Sequence, residues 1–206
     1  MELRVSWSFL SHSLNAVESE ISRSFALLST DNMFLFKLIK ISITEKLIGS
    51  QLTYSTPTNT TRVEHWDVIS AYQNNPDDQL DQVSGPTEIT DLEHTESNKE
   101  LVRRFLCDVM VLGQTESKDN YITFDDIPIH ASSNVVHPSK LIGAYNQVFK
   151  IIGQGDTVVA YSRVIHQKQE YARFEIFRVS NAKIVEIWIN EEPIPPKHEW
   201  VNGGKF

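Results

Sequence analysis

A single cysteine, Cys107, in 206 residues leaves no internal disulfide and no cysteine-based metal cluster, which fits a reducing compartment. Basic residues are also scarce: 19 Lys and Arg against 27 Asp and Glu give a formal net charge of -8, and the positive side chains are scattered. Gripping a phosphate backbone takes a basic patch that displaces counterions, so no nucleic-acid partner is expected. Long apolar runs are missing too. The most apolar stretch, Met33 to Ile43, carries Lys37 and Lys40 and is too short to span a bilayer. The opening MELRVSWSFLSHSLNAVESE has neither a sustained apolar stretch nor a small-residue cleavage site, so a cytoplasmic protein without a secretory signal or membrane contact is expected. With only 8 Gly and 8 Pro the chain is neither fibrous nor wholly disordered, and 40% hydrophobic residues suffice for a packed core.

Periodicity organises what is present. Leu14, Val17, Ile21, Phe25 and Leu28 recur at three- and four-residue steps, predicting an amphipathic helix over 13–28. Phe34 to Ile43, Leu47 to Tyr54 and Arg62 to Ile69 are rich in β-formers and predict strands, with a loop at STPTNTT. The polar, acidic stretch SAYQNNPDDQLDQVSGP then reads as a linker. This gives an N-terminal segment over 1–70, a linker over 71–87 and a domain over 88–206. In that domain Leu101, Val102, Phe105, Leu106, Val109 and Met110 form one helical stripe, with Thr95 or Ser97 as candidate N-cap and Gly113 as the stop. The rest is strand-like: Val148 to Ile152 before a GQGD turn, then Thr157 to Ile165, Tyr171 to Val179 and Lys183 to Ile189 with short polar joins. One helix followed by an antiparallel meander predicts an α+β fold.

Two strands repeat. TRVEHWDVI at Thr61 to Ile69 and AKIVEIWIN at Ala182 to Asn190 share a basic residue, apolar residues, Glu, one variable position and Trp. Together with GPTEITDLEHTESNKELVRRFLCDV, the GQGD turn with TVVAYSRV, the strand FEIFRV and the ending EWVNGGKF, they resemble the SnoaL-like proteins of the nuclear-transport-factor-2-like superfamily. The match covers about the last 120 residues, and upstream of the linker only the strand RVEHWDVI, which looks like the end of a truncated second copy. The resemblance implies a cone-like curved antiparallel sheet wrapped around helices, enclosing a pocket, and a homodimer formed through the outer sheet face. It also implies a buried acid acting as general acid or base on a polyketide-like ester, with neither metal nor cofactor.

The chain departs from the family pattern at named positions. Glu175 stands where the family usually has Asp before IFR; Ile187 and Ile189 replace the His and Asp of the EHWD strand; and IHAS keeps only His130 of a QHNP-like segment. Between Asn134 and Tyr145 there is only a short VVHPSKLIGA where a longer helical cover is implied.

Candidate catalytic residues follow. Alternation puts Glu175 on the same face as Arg173 and Phe177; a carboxylate facing a closed pocket resists charging while a neighbouring arginine opposes that. On the outer face it would be a plain ion-pair partner. His130 could hydrogen-bond a ligand carbonyl or shuttle a proton, or serve as a structural loop residue. His137 and His166 fall in polar connections and rank lower. Tyr121, Phe105, Phe149, Phe177 and Trp188, with Arg173, are the expected walls of a pocket for a small hydrophobic or carbonyl-containing ligand, although such aromatics are as readily core. No His, Asp and Glu grouping has zinc spacing, and GQGD lacks the Lys-Ser/Thr of a phosphate loop, so no metal or cofactor is expected. His65 and Asp67 share a strand face in the upstream copy, where a structural role is expected.

Two functions stay open. One is cofactor-independent acid/base chemistry as a cyclase, isomerase or hydrolase on a carbonyl compound, with Glu175 carrying the proton and His130 as its polar partner. The other is a non-catalytic ligand-binding or dimerisation module with a degenerate site, which the loss of the EHWD His and Asp favours.

Overall fold

The computed structural model describes the strand backbones of residues 21–25, 35–43, 47–56 and 59–71, and residues 82–132, 134–200 and 204–206; within the first four strands, side chains are described at 68–70. Two sheets account for most of it. The first is an antiparallel meander in chain order: β1 (Ile21–Phe25), β2 (Leu35–Ile43), β3 (Leu47–Thr56) and β4 (Asn59–Ala71). The helix expected over 13–28 is not what forms at Ile21–Phe25, which pairs antiparallel with Ile39–Ile43 of β2. Helical spacing in a short segment is a local preference, and pairing with an apolar neighbouring strand overrides it. The remainder of that expected helix, and residues 72–81 of the expected linker, lie outside the described residues.

The second sheet is open, mixed and five-stranded, in the order β5 (Ile129–His130), β9 (Lys183–Pro193), β8 (Gln169–Ser180), β7 (Thr157–His166) and β6 (Tyr145–Gln154). Strands β6 to β9 form the expected meander, and the two-residue turns Gln167–Lys168 and Asn181–Ala182 have φ of 51°, 65°, 50° and 55°. Paired left-handed residues match the right-handed twist of the strands they join. Strand β5 pairs parallel with β9, bringing His130 opposite Trp188 in register. The stretch Tyr121 to Ile129 is mostly turns, with a 3-10 turn at Phe124–Asp126.

One helix, α1 (Thr95–Arg104), continues as a wider π-helical segment through Phe105–Val111 and stops before Gly113, whose φ is +71°. Neither expected N-cap acts as one. A 3-10 turn at Leu92–His94 leads into the helix, and the Thr95 hydroxyl accepts instead from the backbone N–H of Gly155 at 2.8 Å. The described domain is therefore α+β. The stripe Val102, Phe105, Leu106, Val109 and Met110 packs on Val158, Ala160, Phe177, Ile187 and Ile189 on one face of the second sheet. The opposite face, expected to carry a homodimer, is lined by Val159, Tyr161, Phe174, Ile176 and Trp188; Val68, Val83, Ile89, Trp200 and Phe206 of the same chain pack on it.

Candidate functional site

On the helix-facing side of the sheet, β8 carries two charged side chains with almost no exposure: Arg173 at 0% and Glu175 at 1%. Alternation along the strand puts both on that face with Phe177. The Arg173 Nε donates to Glu175 Oε1 at 3.1 Å, and its Nη1 donates to Glu191 Oε2 at 2.6 Å across the β8–β9 ladder, where Arg173 and Glu191 are register partners. The Tyr145 hydroxyl, from the start of β6, donates to the same Oε1 at 2.7 Å. The Val136 carbonyl accepts from both terminal nitrogens of Arg173, at 3.4 and 3.3 Å. At the far end, His166 Nε2 lies 3.0 Å from Glu191 Oε1, and its ring stacks on Tyr171 at 3.9 Å.

Three atoms of this buried cluster have no hydrogen-bond partner among the described residues: Glu175 Oε2, the hydroxyl of Ser162 and, at the far end, His166 Nδ1. Ser162 is fully buried and is the register partner of Arg173 on β7, so its hydroxyl and the Glu175 carboxylate share the helix-facing side. Buried polar atoms are nearly always satisfied, and leaving one unpaired costs on the order of 1–3 kcal/mol. Burial pushes the Tyr145 phenol well above its ordinary value; Arg173 pulls it down, and the Glu175 and Glu191 charges push it further up. Burial works against the Arg173 charge, but facing Tyr145, Glu175 and Glu191 more than offset it and raise its pKa.

His130 is not part of this arrangement. It is 2% exposed and sits on the opposite face, stacked on Trp188 with ring centroids 4.9 Å apart and planes 8° apart. Its Nε2 lies 2.8 Å from Glu186 Oε1, its Nδ1 lies 3.4 Å from the Ser84 hydroxyl, and Glu186 in turn pairs with Arg178 at 2.5 Å. The structure thus separates the expected proton carrier from its expected polar partner. Parallel pairing of β5 with β9 puts His130 on the parity of Glu186 and Trp188, whereas Glu175 pairs with Ile189.

The expected aromatic wall divides in the same way. Phe105, Phe177 and Tyr121 lie on the helix side, where Phe105 packs against Tyr121 at 6.3 Å and against Phe177 at 6.1 Å. The Tyr121 hydroxyl donates to Asp108 at 2.7 Å, a bond that raises its pKa. Trp188 and Phe149 lie on the other side, Phe149 against Tyr161 and Phe206. Ile187 and Ile189, at the positions of the EHWD His and Asp, are buried in the helix-side core, Ile189 directly beside Glu175.

No protein-family model matches this chain, and no curated protein matches it. A cleft of about 780 Å3 opens elsewhere, where Asp91, His94 and Asn98 at the start of α1 meet Arg178 and Asn181 at the β8–β9 turn, and none of the expected pocket residues lines it. At its rim the exposed trio Asp91, Glu93 and His94 is close enough to share an ion. His94 Nδ1 and Asp91 Oδ1 already meet at 2.5 Å, and that hydrogen bond raises the His94 pKa and lowers that of Asp91. His137 bonds Ser139, and burial lowers its pKa. The side chains of His65 and Asp67 lie outside the described residues.

Sequence reasoning missed Tyr145, Glu191 and Ser162, and ranked His166 low. Alternation held a signal for two of them. Glu191 shares parity with Ile187 and Ile189, and Ser162 shares parity with Val158 and Ala160, so a polar side chain on an apolar stripe was visible in both strands.

Proposed function

We propose that the chain is a small-molecule pocket protein of the SnoaL-like kind, its sheet curving cone-like over the helix, and that Glu175 exchanges a proton with a carbonyl compound as in a cyclase, isomerase or hydrolase. The observation that carries this reading is the unpartnered Oε2 of a fully buried Glu175, facing the same side as the unpartnered Ser162 hydroxyl. Tyr145 and Arg173 hold the other oxygen, so one carboxylate atom is oriented and the other is left for a ligand. In this arrangement Tyr145 and Arg173, rather than His130, are the polar partners. An enolisable carbonyl compound suits the site: Oε2 takes the proton from carbon, while the Tyr145 phenol, kept protonated by burial, donates to Oε1 and holds the carboxylate in place.

Glu175→Gln keeps the shape and removes the base. Turnover of a carbonyl substrate found by screening is expected to be abolished in that variant with the melting temperature held near that of the parent. Retained turnover would rule out Glu175 as the proton carrier.

The second reading, a non-catalytic ligand-binding module, is favoured by the Arg173 guanidinium, which ties Glu175 into an ion pair, and by Ile189 beside the carboxylate. On that reading Glu175→Gln lowers the melting temperature and leaves ligand affinity unchanged.

A further inference from the structure

Strands β4 and β9 carry the repeated motif, aligned by Glu64 with Glu186 and Trp66 with Trp188. Each strand closes an antiparallel meander, and each is separated from the preceding strand by two residues: Thr56 to Asn59, and Ser180 to Lys183. The structure lays β4 on β9 and β8. Where they meet, Asn190 Nδ2 donates to the Val68 carbonyl at 2.9 Å. Those two residues stand 122 positions apart, the same offset that aligns the repeated Glu and Trp.

Contact between equivalent positions is the signature of an isologous interface, in which residues near a two-fold axis meet their own counterparts. The flanking contacts agree to within one residue. The Ser70 hydroxyl donates to Asn190 Oδ1 at 2.6 Å, and the backbone N–H of Ile69 donates to Glu192 Oε2 at 3.2 Å. Exchanging the two copies turns the first contact into Val68 with Glu192, one step from the second. Val68 itself is fully buried in the cluster that contains Phe174, Ile176 and Trp188.

We propose that this chain is an intramolecular pseudo-dimer: the β1–β4 meander occupies the surface that fits a second copy of the β7–β9 meander, with a pseudo-two-fold axis passing between Val68 and Asn190. The outer face is then closed within one chain. Only the second meander carries the helix layer and the buried Arg173 cluster among the described residues, so each chain holds one interior site and one covering sheet.

The full-length chain tests this with Cys107→Ser as background and Ser70→Cys combined with Asn190→Cys, since those two side chains touch. Mild oxidation is expected to close a disulfide within single chains, and the protein is expected to sediment as a monomer independent of concentration. A disulfide joining two chains, or none at all in a folded protein, would overturn the proposal. Should the double variant fail to fold, sedimentation of the unaltered chain decides: a monomer supports the internal pairing, and a dimer overturns it.

Discussion

The phenol of Tyr145 and the carboxylate of Glu175 meet at 2.7 Å on the helix-facing side of the sheet, and with 3% and 1% of their surfaces exposed neither has solvent to fall back on. The hydroxyl must donate for the pair to hold, since the carboxylate can only accept.

Alkaline stability follows from that pair. Burial raises the folded Tyr145 pKa above 10.0, the ordinary phenol value, so above that pH the unfolded chain releases a proton that the folded chain keeps. The stabilisation is complete below the unfolded value and is lost as pH climbs from there toward the folded one, at about 1.4 kcal/mol per pH unit. Denaturant titrations above that value should show a shallower loss in Tyr145→Phe than in the parent, after an initial cost of about 1 kcal/mol at neutral pH. Identical slopes would show that Tyr145 titrates normally.

Arg173 stands between two buried carboxylates, Glu175 and Glu191. Arg173→Met leaves both without their cation and is expected to destabilise the fold by about 3–5 kcal/mol. Adding Glu175→Gln and Glu191→Gln removes the stranded charges, so the triple variant should regain most of that loss in urea unfolding. A triple variant no more stable than Arg173→Met would mean that the arginine acts by packing rather than by charge.

His130→Ala removes the ring stacked on Trp188 and the partner of Glu186. A loss of about 2 kcal/mol is expected from the hydrogen bond and the stack. Any turnover at Glu175 should keep its rate constant, because a sheet separates the two side chains. A lowered rate constant at unchanged stability would place His130 in the chemistry after all.

Gly155 turns the chain between β6 and β7 with φ of +57°, and a Cβ there would come within 1.9 Å of the Thr90 carbonyl oxygen. That carbonyl cannot easily give way: it accepts from the Asp156 N–H at 2.8 Å, while the Asp156 carboxylate accepts from the Thr90 N–H and hydroxyl at 3.1 and 2.8 Å. Gly155→Ala is therefore expected to cost about 1–3 kcal/mol, read as a lowered melting temperature. Parent-like stability would mean that Thr90 is not held there.

The alternation of β7, β8 and β9 and the short polar stretches between them determined those strands, their turns and the parity that groups Arg173, Glu175 and Phe177, because a strand's side-chain period is local and inherent in the order of residues. The helical stripe from Leu101 to Met110 was determined in the same way. Parity does not say which side of a sheet meets the helix, and a two-residue strand such as Ile129–His130 has no period to read. Its parallel pairing with β9, which sent His130 to the face opposite Glu175, was decided only when distant segments packed. So was the strand at Ile21–Phe25, where a helical spacing yielded to an apolar neighbour, and so was the second carboxylate on Arg173, supplied from 18 residues further along the chain. Long-range pairing satisfies backbone and charge at sites that local preference leaves open, and that is the part of this protein its sequence order alone does not display.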